Sequence, residues 1–310
     1  MRIAIVGAGM AGLACADVLV AAGHAVTLLD KARGPGGRMS TRRLDTPLGQ
    51  VAFDHGAQYF TARDPAFQQQ VAGWLAEGVV ARWTLAAADA WVGTPGMSAV
   101  VKAMARAHDI HWATQIERID RQPDGWLVAA GATRFEGFDA VLLAVPAEQS
   151  VPFLATQDEA LAEVARQVQT QPCWTGLFAF ATPVPGDRDL VRKTGAIGWA
   201  ARNSAKPGKS GPEGWVVQAT PEWSEAHLED DAATVQALLL AELSAVLRDD
   251  LPAPIMASAH RWRYAMSPGL GHGALWNPQR RLGVCGDWLL GPRVECAWLS
   301  GRQLASRVLR

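Results

Sequence analysis

Tyrosine is scarce in this chain of 310 residues: there are two, against thirteen tryptophans and eight phenylalanines. Neither sign of charge is in excess, with 29 Lys and Arg facing 30 Asp and Glu and a formal net charge of −1. That balance, without a dense Lys/Arg run, excludes the electrostatic footprint of a nucleic-acid or anionic-membrane binder. The four cysteines, Cys15, Cys173, Cys285 and Cys296, form no C-x-x-C pair. A reduced cytoplasmic compartment fits this better than a disulfide scaffold or a zinc site. No unbroken apolar run reaches the ~18 residues of a spanning helix, so no membrane insertion is expected. Glycines and Asp17 interrupt the apolar start, which argues against a signal peptide and for a cytoplasmic location. An internal repeat, a G-x-S-x-G elbow and a histidine partner for Cys173 are also missing. Gly208-Lys209-Ser210 has the end of a phosphate loop, but Asn203 stands where the first glycine is required. His108-Asp109-Ile110-His111 holds too few ligands for a metal and is expected to end a helix; no metal is expected.

What is present starts at once. Ile3-Ala4-Ile5-Val6 is a continuous apolar run, the pattern of a strand buried on both faces. Gly7-Ala8-Gly9-Met10-Ala11-Gly12 follows, then Leu13, Ala16 and Val20 at helical spacing, with Gly23 closing the helix. Ala25 to Leu29 is a second strand, ending on Asp30. Strand, G-x-G-x-x-G turn, helix, strand and acid are the context of a dinucleotide site. Gly7 permits the tight turn, Gly9 the approach of a pyrophosphate, and Gly12 close helix–strand packing. The free N–H groups of Met10, Ala11 and Gly12 supply positive potential to phosphates, and Asp30 suits ribose hydroxyls. Gly34-Pro35-Gly36-Gly37-Arg38 follows directly. Its backbone can pass close to a ligand, and Arg38 is a permanent cation suited to phosphate.

Farther along, 97–107 has helical spacing with Ser98 as a candidate cap, and Val141 to Val145 is a buried-type strand. Residues 158–168 and 230–248 are amphipathic helices. Between them, Trp174 to Ala181 and Trp215 to Ala219 are expected to be strands of a different sheet, and 203–214 a loop. Leu282 to Cys285 is a strand, and Val294 to Leu309 a helix. The fold class is therefore α/β: a Rossmann-type dinucleotide-binding domain (1–73, 94–150 and 276–310), expected to be FAD-binding on the resemblance that follows, with a second, mixed-sheet α+β substrate domain (74–93 and 151–275). Trp91, Trp199, Trp262, Trp288 and Trp298 are either core fillers or flat walls of a cofactor pocket.

With its glycine pair and Arg38 at this distance from Asp30, the chain resembles the flavoprotein superfamily of amine oxidases and related enzymes. The usual acid there is Glu, and Asp30 is shorter. Gly286-Asp287, followed by Arg293-Val294-Glu295-Cys296-Ala297, matches the superfamily's C-terminal end. The resemblance implies that Asp287 reaches the ribityl and pyrophosphate part of FAD. It also implies a helix aimed by its N-terminus at the N1–C2=O edge, where it would stabilise reduced flavin. Lys31, Gly36, Gly37, Gly56 and Ala57 complete the implied cofactor set. Cys285 and Cys296 lie outside the family's covalent-attachment motif, so FAD is expected to be non-covalent.

Within that superfamily the chain is similar to the renalase family, on DHGAQYFTARD (54–64), WVGTPGMS (91–98), WAARNSAKP (199–207), Trp215 to Ser224, His260-Arg261-Trp262 and GDWLLGPRVECAWLSG (286–301). This resemblance implies oxidation of 2- and 6-dihydro isomers of NAD(P)H to NAD(P)+, the hydride going to flavin N5. No acid or base is needed, because the departing hydride leaves an aromatic pyridinium. By family position the substrate walls are Gln58, Tyr59, Phe60, Thr61, Arg63, Trp199, His260 and Trp288. Arg63 either meets a substrate phosphate or pairs near Asp64; His260 is either structural or a proton donor. The electron acceptor is O2 or a quinone. A flavin amine oxidase acting on a small amine, and a flavin-binding protein without turnover, are the alternatives.

Overall fold

A computed structural model describes residues 1–247 and 251–310 of the chain. In order, its first elements are β1 (Arg2–Val6), α1 (Met10–Ala21), β2 (Ala25–Leu29) and the hairpin β3 (Thr41–Thr46) and β4 (Gly49–Asp54). Next come α2 (Pro65–Ala76), β5 (Val80–Arg82), β6 (Trp91–Gly93), α3 (Ser98–Ala105) and β7 (Asp109–His111). A small sheet of β8 (Arg118–Gln122), β9 (Gly125–Ala130) and β10 (Thr133–Phe138) precedes β11 (Ala140–Leu143), α4 (Ala147–Gln157) and α5 (Glu159–Arg166). Then follow β12 (Gln171–Phe180), β13 (Leu190–Thr194), β14 (Ile197–Arg202), β15 (Glu213–Ala219), α6 (Pro221–Ala226), α7 (Ala232–Leu247) and β16 (Met256–Met266). The last elements are β17 (Leu275–Asn277), β18 (Leu282–Val284) and α8 (Val294–Val308).

The six-stranded sheet runs β17-β18-β11-β1-β2-β7, parallel except for β17. α1 and α8 cover one face and the β8–β10 sheet with α4 and α5 the other, which is why Ile3, Ala4 and Ile5 are wholly buried and the strand reads as an unbroken apolar run. Chain order reverses between β1 and β11, so the crevice beyond their C-terminal ends is where such a sheet takes a ligand. α1 packs on α8 almost backbone to backbone: a Cβ on Gly301 would stand 2.1 Å from the Ala11 carbonyl oxygen.

The second sheet, β13-β14-β15-β12-β16, is antiparallel throughout. One face packs Phe178, Trp215 and Val217 against Val235, Leu239 and Leu243 of α7. The other receives the β3–β4 hairpin, Val51 and Phe53 meeting Leu177, Ala179 and Val216. The α/β class with two unlike sheets is as expected.

Local details differ. Ser98 is the first residue of α3 rather than its cap, and its N–H donates to Thr41 Oγ1 at 3.1 Å. Residues 109–111 do not end a helix. They form edge strand β7, because β2 offers a free parallel ladder and the His111 carbonyl accepts from Asp30 N–H at 3.0 Å. Residue 248 of the expected 230–248 helix lies outside the described residues. Among the described residues, no helix is long and apolar enough to cross a membrane, and no cluster of His, Cys, Asp and Glu could hold a metal.

Candidate active site

The three motif glycines serve different needs. Gly7 has φ +104°, donates to the Leu29 carbonyl at 2.8 Å, and leaves no room for a Cβ, which would meet the Ala144 carbonyl oxygen at 2.6 Å. At Gly12 a Cβ would lie 2.0 Å from the Gly7 carbonyl oxygen. The protein's own packing therefore accounts for both. Gly9 has an ordinary φ of −81°, and its Cβ would find no protein atom within 4 Å. The space before it is open, and α1 begins there without a side-chain cap. The second glycine turn lies alongside, with the Cβ direction of Gly37 (φ +53°) reaching to 4.0 Å from Gly9 Cα. An open backbone cradle beside uncapped helix N–H groups is an anion site in form.

Asp30 has prior commitments: Oδ2 accepts from Ala8 N–H at 2.6 Å and Oδ1 from Ala32 N–H at 2.7 Å. The carboxylate clamps the turn, and each oxygen keeps a lone pair for a ribose hydroxyl. Lys31 reaches across to Gln149 Oε1 at 3.1 Å. Next to it in sequence, Glu148 buries Oε2 without a partner.

Arg38 and Asp287, 249 residues apart, meet as a bidentate pair at 2.8 and 2.5 Å, and Arg38 also donates to the Ala265 carbonyl at 3.1 Å. The glycine loop and the C-terminal segment are thereby closed into one site. Glu295, 1% exposed, accepts from the N–H groups of Arg63 and Asp64, both at 2.6 Å, and pairs with Arg293 at 2.9 Å. Its carboxylate holds the start of α8 to the 58–64 segment, which limits what it has left for a cofactor. Val294 and Ala297 are half-buried on the first turn of that helix.

Residues 54–60 form a loop held from two sides. Behind it, Asp54 lies 3.4 Å from Lys206 Nζ and 3.0 Å from Lys209 Nζ, and it accepts from Thr41 Oγ1 and Met97 N–H. Burial alone would raise the Asp54 pKa, but the two lysines outweigh it and hold the carboxyl below its ordinary value. Burial brings Lys206 down to about 8 against the pull of Asp54. Lys206 also donates to the Gln58 carbonyl and to Gln58 Oε1, each at 3.0 Å. In front, Gln218 Nε2 donates to the Gly56 carbonyl at 2.8 Å and Trp262 Nε1 to the His55 carbonyl at 2.7 Å. Gly56 admits no Cβ, which would lie 2.1 Å from the Arg38 carbonyl oxygen; Ala57 N–H donates to that same oxygen.

Facing this loop, pairing register places Trp199, Gln218, Thr175 and His260 in one row across β14, β15, β12 and β16. Directly opposed residues share a face. Tyr59 packs its ring 5.3 Å from Trp199, and Trp83 lies 6.2 Å from Trp199 on another side. The indole N–H groups of Trp83 and Trp199 are buried without partners. His55, His260 and Trp262 form a second aromatic group, with centroids 4.5–5.0 Å apart. Burial, with His260 and Arg42 nearby, lowers the His55 pKa to about 4; burial and Arg42 lower that of His260 as well. Both rings are neutral at pH 7.

Of the expected walls, the structure packs Tyr59 on Trp199 and sets His260 on the same sheet face at the other end of the row. Gln58 spends its amide on Asp54, Gly56 and Lys206, so it shapes the loop from within. Phe60 is 4% exposed, packs on Phe67 and bridges Trp91. Trp288, 2% exposed, lies in the core under β11, its N–H on the Val145 carbonyl at 3.2 Å. Thr61 is half-buried beside them. Arg63 is exposed, and among the described residues its guanidinium pairs with no acid, while Asp64 caps α2 instead. Thr175, Gln218, Asp54, Lys206 and Lys209 went unread as site residues. The lysines sit in a stretch with a loop's composition, and only the distant Asp54 makes them buried.

These residues fit FAD: an open glycine cradle with an uncapped helix for the diphosphate, Arg38 and Asp287 beside it, and orphaned buried indole and imidazole nitrogens beyond. All four cysteines are buried and free, consistent with non-covalent FAD.

Residues 5–74 match the NAD(P)-binding Rossmann-like domain, and residues 80–309 match the flavin containing amine oxidoreductase family. A protein of Exiguobacterium sp. 255-15 named for protoporphyrinogen oxidase superposes with a TM-score of 0.78 at 13% identity, covering 99% of this chain and 98% of that one. Cyclohexylamine oxidase from Brevibacterium oxydans IH-35A gives 0.71 at 14% identity over 99% and 98%. At such identities the likeness is one of fold. Among curated proteins, a bifunctional protein of tRNA 5-methylaminomethyl-2-thiouridine biosynthesis from Magnetococcus marinus is 27% identical over 215 residues, 51% of this chain. The L-amino-acid oxidase of Daboia russelii is 58% identical over 42 residues, 14% of this chain. The chain spans 32% and 8% of the lengths of these two relatives. On a profile match covering residues 80–309, the chain belongs to the flavin containing amine oxidoreductase family, with FAD as its cofactor.

Proposed function

We propose that this chain oxidises 2- and 6-dihydro isomers of NAD(P)H to NAD(P)+, with residues 1–73, 94–150 and 276–310 holding FAD and residues 74–93 and 151–275 shaping the substrate side. Bound FAD supplies the two-electron acceptor. The observation that carries the reading is the make-up of the row facing the 54–60 loop: an indole, an amide, a hydroxyl and an imidazole, with no carboxylate or ammonium among them. An amine substrate must shed a proton to be oxidised. A dihydronicotinamide becomes aromatic on losing hydride and asks only for orientation and exclusion of water. Trp199 and Tyr59 offer a flat wall to a planar ring. Gln218 and Trp262 fix the loop opposite, and buried Phe60, Trp83 and Trp91 close its flank against water.

Oxidation of a small amine is the second reading. It is supported by the family and by the Tyr59–Trp199 pair, which could frame an amine. Anaerobic mixing of the yellow holoenzyme with 2- or 6-dihydro-NAD and, separately, with amines decides between them. Bleaching by the dihydronicotinamide alone is expected. Bleaching by an amine alone overturns the proposal, and bleaching by neither favours a flavin-binding protein without turnover.

A further inference from the structure

Arg42 is a cation in search of an anion. It lies on β3 directly opposite Phe53 of β4, so the two side chains share a face. Phe53 packs on the second sheet, where a Cβ on Gly214 would come within 3.0 Å of its ring. The hairpin thus turns Arg42 toward that sheet. His260, on edge strand β16, lies on the same side, opposite to Ala259, which packs among the α7-side residues.

Arg42 is half-buried, and among the described residues its guanidinium has no hydrogen-bond or ion-pair partner. Its charge is felt by both His55 and His260. Asp54, the carboxylate that acts on His55, is already matched by Lys206 and Lys209. His55 is only 6% exposed, and its Nδ1 is buried without a partner. Its ring meets His260 at 4.9 Å and Trp262 at 5.0 Å. A half-buried cation beside two neutral imidazoles, with no hydrogen-bonded or ion-paired acid among the described residues, is stabilised by an incoming anion. A planar guanidinium fork fits phosphoryl oxygens in particular.

We propose that Arg42, with His260, forms a subsite for a phosphoryl group of the substrate, while His55, its Nε2 3.4 Å from Ser40 Oγ, backs the subsite from behind. The subsite is separate from the Arg38–Asp287 pair, whose charge is already balanced. The proposal rests on the dihydronicotinamide reading, since nucleotide donors carry the group it would hold.

The test uses holoenzyme and two donors that differ by one phosphate, dihydronicotinamide mononucleotide and its riboside. From the usual strength of charge-assisted hydrogen bonds, the phosphorylated donor should reduce the flavin with a Kd about 10- to 100-fold lower. Arg42→Ala should bring that ratio close to one, and Arg42→Lys should keep part of it. An unchanged ratio in Arg42→Ala, or equal weakening toward both donors, overturns the proposal. Arg42→Gln, which keeps most of the stem, serves where Arg42→Ala loses flavin. Inorganic pyrophosphate, followed by the perturbation of flavin absorbance, forms an arm that needs no donor. Saturation lost in Arg42→Gln supports the subsite, and binding that ignores Arg42 overturns it. Saturation without donor discrimination refutes its assignment to the substrate. Were no dihydronicotinamide to bleach the flavin, the functional reading alone would fail, and the pyrophosphate arm would still decide the subsite.

Discussion

Replacing Asp54 with asparagine should strip the charge from the carboxylate shared by two buried lysines. Lys206 and Lys209 have side chains only 1% and 3% exposed, at 3.4 and 3.0 Å from that carboxylate. Breaking a buried ion pair from one side costs about 3–5 kcal/mol, because the remaining charge stays desolvated. For 310 residues, a typical unfolding entropy converts this into a fall of about 5–8 °C in melting temperature. The loss should depend on pH. Lys206 titrates at about 8 in the fold, below its ordinary 10.5. Below about pH 8 the cost of burying its charge stands in full. Between about 8 and 10.5 the unfolded chain binds more protons than the folded one, so this group adds stability as pH rises. In Asp54→Asn the amines lose the partner that favours their charged form, and their pKa values fall further. Relief then starts at lower pH, and the gap from wild type should narrow between about pH 6.5 and 9. Differential scanning calorimetry of holoenzyme across that range, with flavin content measured in parallel, reads both effects. A variant that melts within 1 °C of wild type at pH 6.5, or a gap that widens with pH, would refute the reasoning. Adding Lys209→Met to Asp54→Asn should recover part of the loss, since one unpaired ammonium is then gone.

Gly9→Ala should leave the apo-protein's melting temperature within about 1 °C while weakening FAD binding by about 10-fold or more, because its Cβ meets only the open cradle; fluorescence titration with FAD checks this. Gly12→Ala should fail to give folded protein at all, its Cβ lying 2.0 Å from the Gly7 carbonyl oxygen. Arg38→Met should raise the Kd for FAD about 30-fold or more, and Arg38→Lys should rescue little, since a single ammonium cannot reproduce the fork. Trp199→Phe should keep flavin content and slow anaerobic flavin reduction about 10-fold through looser substrate positioning; an unaltered rate removes Trp199 from the substrate wall.

Much of the nucleotide half was legible in sequence, and the reason is locality. From Ile3 to Asp30 the strand, turn, helix and second strand are consecutive. The demand on Gly12 comes from the Gly7 carbonyl within the motif, whereas Gly7, beyond its own positive φ, is crowded by the distant Ala144 and Val145. A local pattern failed where hydrogen bonds came from afar: Asp109–His111 has no periodicity of its own and is a strand only because β2 presents an unpaired edge.

The proposed substrate side depends on tertiary structure. Trp199, Gln218, Thr175 and His260 become one row through the pairing register of four strands, and register is a property of no single strand. Lys206 and Lys209 lie in a stretch with the composition of a solvated loop, yet Asp54, 152 residues before Lys206, draws them inside. Composition reports a charge, whereas burial depends on what lies opposite. For the same reason the sequence by itself shows Asp30, Glu295 and Gln58 only as polar residues of recognisable motifs, expected to face a ligand. Only the fold decided that Ala8, Arg63 and Lys206 had first claim on them.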